Sequence, residues 1–150
     1  MTIDTRTYPT VCNEINHELH RGCYACGDRE DGIGLRFEPH GEGVIAEWFC
    51  DKRYESYPGI IHGGITATVL DSAMTNCLLA KGIVAVTAEL SVRYHEPLQI
   101  GITAIVKAVI TYARPPLFRM EAEILQDGVL RARAHAKFML TDAWKENGYV

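Results

Sequence analysis

The stretch Pro58–Gly82, PGIIHGGITATVLDSAMTNCLLAKG, decides how the rest of the chain is read. From Gly63 onward it has helical length, and it closes on Lys81 and Gly82, which are C-terminal helix signals. Its apolar residues Ile65, Ala67, Val69, Leu70, Ala73, Met74, Cys77, Leu78, Leu79 and Ala80 wrap most of the helix surface. Such a helix is expected to be enclosed rather than to lie with one wet face. Asp71 falls about two turns inside it. An unpaired carboxylate there is costly, so Asp71 is neutralised, partnered, or facing a cleft where it acts.

Working outward, Gly34–Pro39 and Gly43–Phe49 read as two strands joined through His40-Gly41-Glu42, a hairpin with a glycine-bearing loop. Beyond the helix, Val84–His95, Gly101–Tyr112 and Leu117–Leu125 are β-rich. A turn at Gln126-Asp127-Gly128 leads into a final strand, Val129–Thr141. Two strands, one long helix and a run of antiparallel strands predict an α+β domain in which a curved sheet wraps its single helix. The expectation is one domain over residues 1–150. Residues 1–22 form an N-terminal extension, weakly helical from Asn13 to Arg21, and residues 142–150 a loose tail.

With 150 residues, 47% hydrophobic and 23% charged, the chain can bury the core of one ordinary domain. Its 19 acidic and 15 basic residues give a formal charge of -4 without a long block of either sign, which argues against nucleic acid as a partner. No signal-like segment opens the sequence and no apolar run approaches a bilayer span, so a cytoplasmic protein without membrane contact is expected. The five cysteines then read as reduced thiols.

The loop Pro58-Gly59-Ile60-Ile61-His62-Gly63-Gly64 puts a glycine pair at the start of the helix, where unsatisfied N–H groups and the helix dipole converge. Glycine there lets a carbonyl approach the backbone and be polarised, with the Gly64 N–H as the favoured oxyanion donor. On residues alone a tight turn with a satisfied His62 is the plainer account. Asp71 would serve either as general base toward a water or as nucleophile. About two helical turns, roughly 10 Å, separate it from the glycines, so a second subunit is one way to bring the two together.

These residues, with Asp71 nine positions after His62, resemble the signature of phenylacetate-degradation-type thioesterases in the hotdog, or 4-hydroxybenzoyl-CoA thioesterase, superfamily. Val86–Leu98 is similar to that family's strand after the helix, and Asp127–Ala132 to its last hairpin. Cys23-Tyr24-Ala25-Cys26-Gly27 resembles the turn of a Cys-x-x-Cys-Gly-bearing subset. The resemblance covers roughly Cys23 to Leu140. It implies a hotdog fold and hydrolysis of a small or medium acyl- or aryl-CoA, with coenzyme A entering only as part of the substrate and no separate cofactor. It also implies a homodimer, able to pair again into a homotetramer, in which Asp71 of one subunit faces the glycine loop of the other. On that pattern Gly63 and Gly64 polarise the carbonyl, His62 orients loop or thioester, and the Thr87 hydroxyl assists the water. Ser56 departs from the asparagine or glycine of many relatives, and Ser72 from an acidic residue common in the subset.

Other readings stay open. Cys23 and Cys26 have metal-ligand spacing, and His17, His20 or Cys12 could complete a tetrahedral site, but a second close pair is missing and no metal is expected. Arg93, His95, Arg114 and Arg119 are candidates for CoA phosphates. Trp48, Phe49, Tyr54 and Tyr57, beside Ser56, are candidates for an acyl or aryl pocket. A non-catalytic acyl-CoA or small-ligand binding module, or a hotdog dehydratase or hydratase, would keep the same fold with a different outcome.

Overall fold

The computed structural model describes residues 19–142. Most of the expected N-terminal helix, the further ligand candidates Cys12 and His17, and nearly all of the expected tail lie outside them. The elements are β1 (Glu38–His40), β2 (Gly43–Phe49), α1 (Gly63–Leu79), β3 (Ala85–Tyr94), β4 (Thr103–Arg114), β5 (Leu117–Gln126) and β6 (Val129–Leu140), with a 3-10 turn at Lys52–Tyr54. The six strands form one antiparallel sheet in the order β1-β2-β4-β5-β6-β3. The expected α+β hotdog arrangement is present, with α1 packed against five of the six strands.

The sheet can curl around α1 because its inner face is rich in small residues. Ala104, Ala108, Ala122, Ala132, Ala134 and Ala136 are all buried, and they leave a trough for a helix of full diameter. Val106, Met120, Ile124 and Phe138 fill the remainder against Val69, Leu70, Ala73, Met74 and Cys77 of the helix. The apolar character of α1 on every side is thus explained by enclosure. The helix ends at Leu79, and the chain turns away from it through Gly82, which takes φ +70°, while Ile83 N–H returns to Leu78 O at 3.0 Å.

The strands beyond the helix fall within two residues of their expected bounds. The last hairpin turns on Asp127 and Gly128, both with positive φ, between the paired Gln126 and Val129, which is the backbone a two-residue turn needs to match strand twist. One expectation is corrected. Only Glu38–His40 pairs in the first hairpin, and the preceding segment is not a strand, because Gly34 takes φ +72°, outside the extended range that a strand needs. Ile33 and Leu35 go instead into the core, tied to the cysteine turn by Ile33 N–H to Tyr24 O and Leu35 N–H to Ala25 O. Among the described residues no helix is long and apolar enough to cross a membrane.

At the far end of the sheet order, β3 has one strand neighbour, β6, and most of its length is exposed. Val86 and Tyr94 are 53% and 54% exposed there. An open edge carrying apolar side chains is an invitation to pair, which stable proteins otherwise blunt with charge or proline.

Candidate active site

Asp71 lies midway along α1, half-buried, and its side chain turns toward β3 rather than into the core. Thr87 Oγ1 donates to Asp71 Oδ1 at 2.6 Å. The β3–β6 register slips between Thr87 and Glu89, a bulge of the kind that re-aims neighbouring side chains. Burial pushes the Asp71 carboxyl above its ordinary range; the Thr87 hydrogen bond opposes that, and the nearby Cys23 adds to it when charged. The result is a carboxylate more basic than a solvated one, held by a single hydroxyl.

The glycine loop is fixed from three sides. Ile61 N–H donates to Leu98 O and His62 N–H to Tyr54 O, while Gly59 N–H donates to Glu55 Oε2. His62 then caps the helix with its side chain, because Nδ1 accepts the Gly64 N–H at 2.9 Å. The donor favoured from sequence is therefore engaged within the loop. An accepting Nδ1 leaves the proton of a neutral imidazole on Nε2, and His62 is exposed. The Gly63 N–H has no hydrogen-bond partner among the described residues, and its carbonyl accepts the Tyr94 hydroxyl at 2.7 Å.

Beside this loop opens a cleft of about 380 Å³, whose walls include Ser56, Tyr57, Gly63, Thr66, Tyr94 and His95. Arg131 braces one wall from below, donating to Glu96 Oε2 at 2.9 Å and to Pro97 O. Of the four aromatic candidates, only Tyr57 lines the cleft. Trp48 and Tyr54 are buried with ring centroids 5.8 Å apart, and Phe49 points outward at 55% exposure. Arg93 lies on exposed β3 next to Tyr94, whereas Arg114 stands at the opposite end of the sheet, in the row of Leu117, Met139 and Val86. Six rungs of the sheet, counted on β6 from Met139 to Arg133, or roughly 20 Å, separate the two arginines along the strand direction. One subunit cannot bring both to one phosphate.

Tyr94 was not singled out by sequence reasoning. Its role depends on a contact with Gly63 across 31 residues, and only its place at the end of a β-rich run hinted at it. The structure also gathers His20, Cys23 and Cys26, whose ligating atoms all lie within 4.8 Å of one another.

The Thioesterase superfamily model matches residues 58–132, half of the 150-residue chain. The chain belongs to the thioesterase superfamily. The matched span runs from the glycine loop into the first residues of β6 and holds Asp71 and Thr87. Mouse acyl-coenzyme A thioesterase 13 is 31% identical over 71 residues, 46% of this chain and 51% of that protein. The chain thus spans about half the length of the curated relative it matches. Among solved structures, zebrafish thioesterase superfamily member 2 superposes with TM-score 0.70 at 20% identity, covering 83% of this chain and 95% of that one. A hypothetical thioesterase from Streptococcus pneumoniae with coenzyme A superposes with TM-score 0.67 at 19% identity, covering 71% and 85%. That bacterial thioesterase has also been crystallised with alanine replacing a threonine and, separately, an aspartate; the two positions are 16 residues apart.

Proposed function

We propose that this thioesterase-superfamily chain hydrolyses the thioester of a small or medium acyl- or aryl-CoA as a homodimer, without a separate cofactor. The observation that carries the reading is the 2.6 Å bond from Thr87 to Asp71 at the open edge of the sheet. A partly desolvated carboxylate with one hydroxyl partner is poised to take a proton from water as that water attacks the thioester carbon. The same carboxylate could attack directly, giving a mixed anhydride that water cleaves. Either way the C–S bond breaks and coenzyme A leaves as its thiolate. The separation of 16 residues between the two exchanged positions in the Streptococcus protein equals that between Asp71 and Thr87, which supports treating them as a working pair.

Where β3 touches the site supports the dimer reading. Asp71 meets β3 near its start, at Thr87, and the glycine loop meets it at its end, at Tyr94. Pairing β3 antiparallel with its own copy therefore sets the Asp71–Thr87 end of one subunit against the Gly63–Tyr94 end of the other. The attacking group and the carbonyl-polarising loop then come from different chains. On this reading the Gly63 N–H and His62 Nε2 face the thioester oxygen, Gly64 fixes His62, Ser56 and Tyr57 wall the acyl or aryl end, and Arg93 meets coenzyme A phosphate.

A thiol-release assay with short, long and aryl acyl-CoAs, run beside Asp71→Asn, tests the proposal. Asparagine keeps the shape and removes the base, so turnover should fall by on the order of 10² or more with the circular dichroism spectrum unchanged. Equal turnover in the variant removes Asp71 from the mechanism. Silence across the panel with CoA esters still bound would instead make this chain a binding module.

A further inference from the structure

We propose that His20, Cys23 and Cys26 form a site for one thiophilic divalent cation of the zinc type. The three donors come from a single short turn, and their ligating atoms lie within 4.8 Å of one another, Cys26 Sγ standing 3.5 Å from His20 Nδ1. Zn–S bonds of about 2.3 Å and Zn–N bonds of about 2.0 Å place tetrahedral ligands roughly 3.5 Å apart. Closing on an ion therefore asks for adjustments of about an ångström, within reach of side-chain rotation.

The backbone that carries these donors is already built. Cys23 N–H donates to His20 O at 3.0 Å, Gly27 N–H to Cys23 O at 2.8 Å and Asp28 N–H to Arg21 O at 2.8 Å. The turn is so tight that a Cβ on Gly27 would run into Arg21 O and into Cys23 N and O, so glycine there is a steric requirement of the knuckle. Arg36 braces it from outside, donating to Cys26 O and Gly27 O and pairing with Asp28. His20, Cys23 and Cys26 are each partly buried, open enough to admit an ion and shielded enough to hold it. Two thiolates and an imidazole select a soft or borderline cation over magnesium or calcium.

Within the fold the ion would anchor the segment ahead of β1. Ala25 sits in the core between Cys23 and Cys26, and both cysteines pack against the hydrophobic cluster that includes α1. Three ligands leave one tetrahedral position for a further donor, and among the described residues no other histidine, cysteine or carboxylate joins the group.

The test is cobalt titration of the whole chain, kept reduced and stripped with chelator. One equivalent of Co²⁺ should produce the intense near-ultraviolet band of thiolate-to-cobalt charge transfer. Zn²⁺ should displace it and raise the melting temperature. Cys23→Ser and Cys26→Ser should each lose most of the band while keeping the far-ultraviolet circular dichroism spectrum. His20→Cys, which retains a ligating atom, should keep the binding and strengthen the band. Absence of the band and of any zinc effect on melting in the wild type would overturn the site. So would a band that survives Cys23→Ser combined with Cys26→Ser, or a Cys23–Cys26 disulfide persisting under thiol reductant.

Discussion

Thr87 on the exposed edge strand and Asp71 in the middle of the enclosed helix are joined by a 2.6 Å hydrogen bond spanning 16 residues of sequence. The bond joins the sheet's open edge to the one acidic side chain of α1. It also sets a balance at the carboxyl, with burial pushing its pKa up and the hydroxyl pulling it down.

Removing the hydroxyl should tip that balance. In Thr87→Val the carboxylate loses its donor, so its pKa rises further and the acidic limb of the kcat/KM profile moves to higher pH. Thr87→Ser should restore the wild-type limb. A profile that stays in place with valine would mean that Asp71 does not titrate in that limb.

The same balance has a consequence for folding. Burial holds the folded carboxyl above the ordinary 3.8, near which it titrates in the unfolded chain, so the folded state binds that proton more tightly. Its stabilising contribution is complete below 3.8 and is lost as pH rises through the raised folded value. Asp71→Asn should therefore melt above the wild type at neutral pH, with the gap shrinking as the pH falls into the carboxylate range. Thermal denaturation of both proteins across that range measures it.

The sequence disclosed those parts of this arrangement that depend on local pattern. Apolar residues spread over most of the helix surface between Ile65 and Ala80 point to an enclosed helix, and Asp71 stands out as its one charged residue. Asp127-Gly128 marked the last turn through its need for positive φ. The segment before Glu38 reads as a strand because Leu35 and Phe37 alternate as a strand would, whereas Gly34 takes a positive φ and Leu35 is buried, bonded to the cysteine turn instead of to a strand. The hidden features depend on distant partners or on rotamers. Tyr94 reaches Gly63 across 31 residues, and His62 folds back to take the Gly64 N–H, which a motif cannot encode. His20 joins the cysteine pair through a turn whose tightness rests on Gly27.

Tyr94→Phe isolates that hidden contact. It removes the 2.7 Å bond to Gly63 O while keeping the ring that packs on Gly63. A hydrogen bond of this kind contributes roughly 0.5–1.5 kcal/mol, so kcat/KM should fall by up to about ten-fold through a loosened loop. The melting temperature should move little, because the hydroxyl sits at the exposed edge. An unchanged kcat/KM would show that the loop holds its shape without Tyr94.

The open edge gives the last prediction its force. If β3 pairs with its own copy, Leu90, midway along the strand and 36% exposed, lies close to its counterpart in the partner. Leu90→Lys then sets two like charges together at the interface and places an edge lysine of the kind that blocks strand pairing. Sedimentation velocity should show the dimer giving way to monomer. Activity should fall with the dimer, because Asp71 and the glycine loop would no longer meet. Raising the protein concentration should recover both together, since dissociation follows mass action. A monomeric variant with full turnover would place the whole reaction within one subunit. A dimer untouched by the charge would mean that the chain associates through another face.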